Sequence, residues 1–68
     1  MDIEHLVTMV NEIGAFFESE DSATAVAQVT NHLRKFWDPR MRKQIVAFAA
    51  SDGHGLTELS RQAVALLH

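Results

Sequence analysis

The sequence has no cysteine, a single proline and only three glycines in 68 residues. Without cysteine there is no disulfide, no thiolate ligand for a metal and no thiol nucleophile. That absence fits a reducing compartment. The first 21 residues carry no Lys or Arg. The opening Met1-Asp2-Ile3-Glu4 therefore offers neither the basic nor the apolar region of a secretory signal. No apolar run approaches the roughly 20 residues that cross a bilayer. A cytoplasmic location is expected.

Catalytic signatures are equally sparse. There is no Gly-x-Ser-x-Gly elbow. Gly53-His54-Gly55 is too short for a phosphate-binding glycine loop, and no strand precedes it. The histidines are His5, His32, His54 and His68, with no pair at i, i+4. Asp52 and His54 offer two donors on a glycine turn, short of a zinc site, and a solvated turn histidine is the simpler reading of His54. General acid–base chemistry needs a shaped pocket that shifts pKa values, and a few short helices leave little volume for one. The expectation is a chain that is not an enzyme, with no catalytic, cofactor-binding or metal-binding residues of its own.

What the sequence does contain is globular. Apolar residues make up 47% and charged residues 22%, which excludes a disordered tail. Residues 1–68 read as a single helical domain. A core this small supplies only about 3–5 kcal/mol, so chains of this size often gain stability from a partner. The net charge is −3, but it is segregated. Six acids (Asp2, Glu4, Glu12, Glu18, Glu20, Asp21) fall in residues 1–21, and five of the six basic residues (Arg34, Lys35, Arg40, Arg42, Lys43) fall in residues 34–43. One acidic and one basic region are predicted.

The apolar periodicity is helical throughout. Ile3, Leu6, Val7, Val10, Ile13, Gly14 and Phe17 share one face of a first helix over about residues 3–18. Asp2 is positioned to cap it, and Met9 and Phe16 form a second apolar strip off that face. Val26, Val29, Leu33 and either Phe36 or Trp37 mark a second helix, about 22–37, capped by Asp21 or Ser22. Asp38-Pro39 is the clearest boundary. The residue before proline avoids the α region, while Asp at the N-cap and Pro at N1 start a new helix. That helix runs over about 39–51 on Met41, Ile45, Phe48 and Ala49, and a glycine after Ser51 can close it. Thr57 caps a fourth over about 57–67, carrying Leu59, Ala63, Leu66 and Leu67. The fold class is all-α: a small bundle or array of about four short helices.

Phe36 and Trp37 point about 100° apart on a helix, so both cannot face one core. The spare member, together with Arg40 and Met41, is of the residue types enriched at interfaces. Phe16 with Met9 is a second spare apolar strip, and such strips on a small domain suggest a covering partner. The basic cluster admits three readings: a solvated turn, a docking patch for an acidic protein surface, or a phosphate and nucleic-acid site.

Two runs resemble a known family. Leu6-Val7-x-Met9-Val10-Asn11-Glu12-Ile13-x-x-Phe16-Phe17 is similar to the opening helix of formate dehydrogenase delta subunits. His32-Leu33-Arg34-Lys35-Phe36-Trp37-Asp38-Pro39-Arg40-Met41-Arg42 is similar to that family's central Phe-Trp-x-Pro-Arg-Met element. The resemblance covers nearly the whole chain. It implies a non-catalytic accessory subunit of a soluble, NAD-dependent, molybdenum-containing formate dehydrogenase, supporting assembly or stability of the catalytic subunits. The larger subunits would carry bis-molybdopterin guanine dinucleotide, iron–sulfur clusters and FMN, and would pass electrons from formate to NAD. On this reading Phe36, Trp37, Asp38, Pro39, Arg40, Met41 and Arg42 form the partner-binding element, with Met9 and Phe16 as a second contact. The partner is a larger subunit, and the catalytic one is expected. The alternatives are a regulatory module binding nucleic acid through residues 34–43, and a homodimer joined through Met9 and Phe16.

Overall fold

Each helix begins where a short polar side chain can accept from a free backbone N–H, and this sets the element order. In the computed structural model, which describes residues 2–67, α1 spans Ile3–Phe17, α2 Ser22–Phe36, α3 Pro39–Ser51 and α4 Glu58–Ala65. Asp21 accepts from the Thr24 N–H (3.0 Å) and from its hydroxyl (2.9 Å). Asp38 accepts from the Met41 N–H at 2.9 Å, with Pro39 at N1. Thr57 accepts from the Ser60 N–H at 3.1 Å. These are N-caps of the kind expected from the sequence. Asp2 differs: it precedes α1 with extended backbone but its side chain makes no cap bond. Its carbonyl instead receives the His5 and Leu6 N–H groups.

Helix ends are set by tertiary demands. Glycine closes α3: Gly53 has φ +67°, and its N–H donates to the Phe48 carbonyl at 2.9 Å. A Cβ there would lie 2.7 Å from the Arg61 guanidinium, so both the left-handed backbone and the space favour glycine. The fourth helix stops two residues short of expectation. The Leu66 and Leu67 N–H groups bond to Ala63 and Val64, three residues back, tightening the last turn. The tightened turn sends Leu67 into the core at 5% exposure and leaves Leu66, expected on the core stripe, 56% exposed.

One core draws on all four helices and the loop: Leu6, Val10, Val29, Leu33, Trp37, Ile45, Leu56, Ala63, Val64 and Leu67. The sequential helices α2 and α3 are not a principal packed pair; α2 packs on α4 and α1, while α3 packs on α1 and α4. The extended backbone at Trp37 and Asp38 (ψ 138° and 166°) turns the chain away from α2. Where α1 meets α4, Gly14 sits against Leu59 and Ser60. Between α2 and α4 lies buried Thr30, whose hydroxyl is within 2.8 Å of the Val26 carbonyl and 3.1 Å of the Ala63 carbonyl.

Thr30→Val keeps the shape but removes that hydroxyl and with it the side-chain hydrogen bond between α2 and α4. A loss of about 1 kcal/mol in urea unfolding is expected. Hydrogen bonds from Thr24 hold the Asp21 carboxyl below its ordinary value of 3.8. A carboxylate with a depressed folded pKa stabilises above its unfolded pKa and loses that contribution as pH falls through the folded value. Asp21→Asn keeps the cap but cannot titrate, so its unfolding midpoint should fall less steeply than the parent's below about pH 4.

Candidate functional site

The segment from His32 to Arg42 is where the sequence places its densest chemistry, and the structure divides it into an internal part and an outward part. Trp37 leaves the helix as the C-cap of α2 and turns its side chain into the core at 4% exposure. Phe36, the last helical residue, is 70% exposed and packs on His32 one turn back, ring centroids 4.7 Å apart. The choice between the two aromatics is thus settled for Trp37. The indole is a core residue of this chain rather than a free contact surface.

The basic cluster is divided in the same way. Arg42 donates to the carbonyls of Arg34 (3.3 Å) and Trp37. It therefore serves carbonyls at the C-terminal end of α2, where a cation also suits the negative end of the helix dipole. Arg34 donates to the Leu66 carbonyl at 2.7 Å, closing the end of α4. Asp38 caps α3. Met41 is half-buried against the core. Pro39, Arg40, Lys35 and Lys43 are exposed. Of the expected contact element, Trp37, Asp38 and Arg42 build the corner, and Phe36, Pro39 and Arg40 are presented by it. Met41 stands between these roles.

The second expected strip also divides. Phe16 is 83% exposed, whereas Met9 is partly buried against the core. The half-buried Phe17 lines a shallow groove on α2 with Asn31, Lys35 and Phe36.

A contact that sequence reasoning missed lies at the other end of the molecule. The Asn11 amide donates to the Gly55 carbonyl (2.9 Å) and its oxygen accepts from the Thr57 N–H (3.1 Å). It pins the loop after α3 onto α1. Beside it is an open groove of about 400 Å³ lined by Glu4, Thr8, Asp52 and His54 among others. Among the described residues no group of three His, Cys, Asp or Glu side chains stands close enough to hold a metal. An iron–sulfur cluster needs thiolates, and this chain has none. The donor set therefore does not fit an iron–sulfur cluster.

A family model described as NADH-dependent formate dehydrogenase delta subunit FdsD matches residues 5–64. The chain belongs to the formate dehydrogenase delta-subunit family. The match takes in both runs on which the resemblance rested, the opening helix and the Phe36–Arg42 corner. No curated protein and no solved structure matches the chain. Within this delta-subunit fold no helix among the described residues is long and apolar enough to cross a membrane.

The two arginines of the corner can be told apart experimentally. Arg42→Ala leaves carbonyls at the end of α2 unserved and should cost about 1.5–3 kcal/mol, the usual range for hydrogen bonds to a charged group. Arg40→Ala should leave the thermal midpoint within a degree or so of the parent's, since exposed substitutions away from such features are nearly neutral. Differential scanning calorimetry of both variants checks the contrast.

Proposed function

We propose that this delta subunit is a non-catalytic accessory component that docks on a larger subunit of an NAD-dependent formate dehydrogenase, and so supports assembly or stability of the cytoplasmic complex. The catalytic subunit is the expected partner. On this reading the molybdopterin, iron–sulfur and flavin groups and the NAD site belong to the larger subunits; for the clusters the absence of cysteine here agrees with that assignment.

The observation that carries this reading is the construction of the α2–α3 corner. Trp37 anchors it in the core, Asp38 caps α3 from it, and Arg42 ties it to the end of α2. These contacts are all made within the chain, and a preorganised corner has less conformational freedom to lose on binding. It presents an exposed aromatic (Phe36), a proline and an exposed arginine (Arg40). Arginine and aromatic side chains on a preorganised turn are typical of interface hot spots, and a guanidinium can meet a carboxylate or backbone carbonyls in bidentate fashion. The nucleic-acid reading has less support: the chain's net charge is −3, and the five basic residues of this segment are few for phosphate-driven affinity.

The test is a pull-down of the tagged chain co-expressed with the larger subunits, with the eluate assayed for formate-dependent NAD reduction. Phe36→Ala and Arg40→Ala should each reduce recovery of the larger subunits by about tenfold while circular dichroism shows unchanged helix content. Full recovery by both variants would remove the corner as the contact. Absence of the larger subunits from the parent eluate would remove the accessory-subunit reading itself.

A further inference from the structure

The third helix is the least covered of the four. Of its 13 residues only Ile45 is fully buried. Two shallow grooves, of about 460 and 190 Å³, lie along α3 and both touch Val46. From Pro39 to Ala50 the two, taken together as a trough, span roughly 16 Å at 1.5 Å per helical residue, about three turns. Its floor is Val46, Ala47, Ala50 and Leu67. Packed helices lie 8–10 Å apart, the distance being set by the side chains at the contact, and the small exposed side chains of Ala47 and Ala50 allow a close approach.

The electrostatics are one-sided. Arg42, Lys43 and Arg61 line the trough, and among the described residues no Asp or Glu does. This stands out in a chain whose net charge is −3. Arg42 and Arg61 donate to backbone carbonyls, which are neutral partners and leave the positive charge in place. An apolar floor with a cationic border does not suit nucleic acid, which needs phosphate contacts and stacking faces. The chain's own acidic helix is an unsuitable occupant, because α1 buries its apolar stripe (Leu6, Val10) in its own core.

We propose that the α3–α4 trough receives an amphipathic helix of a larger subunit, apolar on the face that enters and bearing carboxylates along its edge. This rests on the accessory-subunit reading and extends it: the corner and the trough meet at Pro39, which belongs to both.

Ala47→Glu fills the trough and repels such a carboxylate edge, and Lys43→Glu reverses one border charge. Ala27→Glu, on the exposed face of α2, is the control. Each is made in the full tagged chain co-expressed with the larger subunits, and a photo-crosslinking phenylalanine derivative is placed at the exposed border position 43 in a separate sample. Ala47→Glu should lower recovery of the larger subunits by about tenfold or more and Lys43→Glu by a smaller factor, with helix content and the Ala27→Glu control unchanged. The crosslink should map to an acid-bearing helix of a larger subunit. If Ala47→Glu binds like the parent while Arg40→Ala does not, the trough is overturned and the accessory reading stands. A crosslink to a second copy, with a dimer seen by light scattering and lost in Ala47→Glu, overturns the choice of partner. Failure of the parent chain to carry any larger subunit overturns both.

Discussion

Proline at position 39 forbids helical backbone at Asp38, and the organisation of the molecule depends on how that break is used. The extended residues Trp37 and Asp38 lift the chain out of α2 and swing the indole into the core. Asp38 then restarts the chain as the cap of α3. With α2 and α3 sent apart, α1 and α4 fill the space on which both pack. Arg42 reaches back across the break to the carbonyls it leaves exposed. A straight helix through this region would have no corner to present and no trough beside α3.

The charge segregation takes on a different meaning in three dimensions. A run of basic residues suggests a surface patch, yet Arg34 and Arg42 close the ends of α4 and α2 through backbone carbonyls. Carbonyl partners leave the positive charge in place, so the same side chains can hold the fold and still set the sign of the surface field. Helix-end closure and partner recognition are therefore not competing explanations for these residues. Arg40 and Lys43 are exposed.

Small size explains why so much of the chain is polar stitching. With a core worth only a few kcal/mol, each end that is left open counts. Asp21, Asp38 and Thr57 serve N-termini. Asn11 pins the loop between α3 and α4 to α1 through both atoms of its amide. Among the described residues no buried side-chain nitrogen or oxygen lacks a partner. What the chain leaves uncovered is apolar instead: Phe16, Phe36 and Leu66.

Local physics was sufficient for the helices, since the 3.6-residue period, the Asp and Thr caps and Asp38-Pro39 act within a turn or two of chain. The starts of α2, α3 and α4, and the core roles of Leu6, Val10, Val29, Leu33 and Ile45, were legible from residues alone. The two motif runs also carried the family. Periodicity could not choose between Phe36 and Trp37, because the choice depends on backbone leaving the helix one residue early. It could not place Leu66 and Leu67, because a tightened last turn is a response to packing against the rest of the core. Nor could it show Arg42 meeting the end of α2, Arg34 meeting the end of α4, or the trough along α3. Those depend on elements far apart in the chain, and only the tertiary structure brings them within hydrogen-bonding reach.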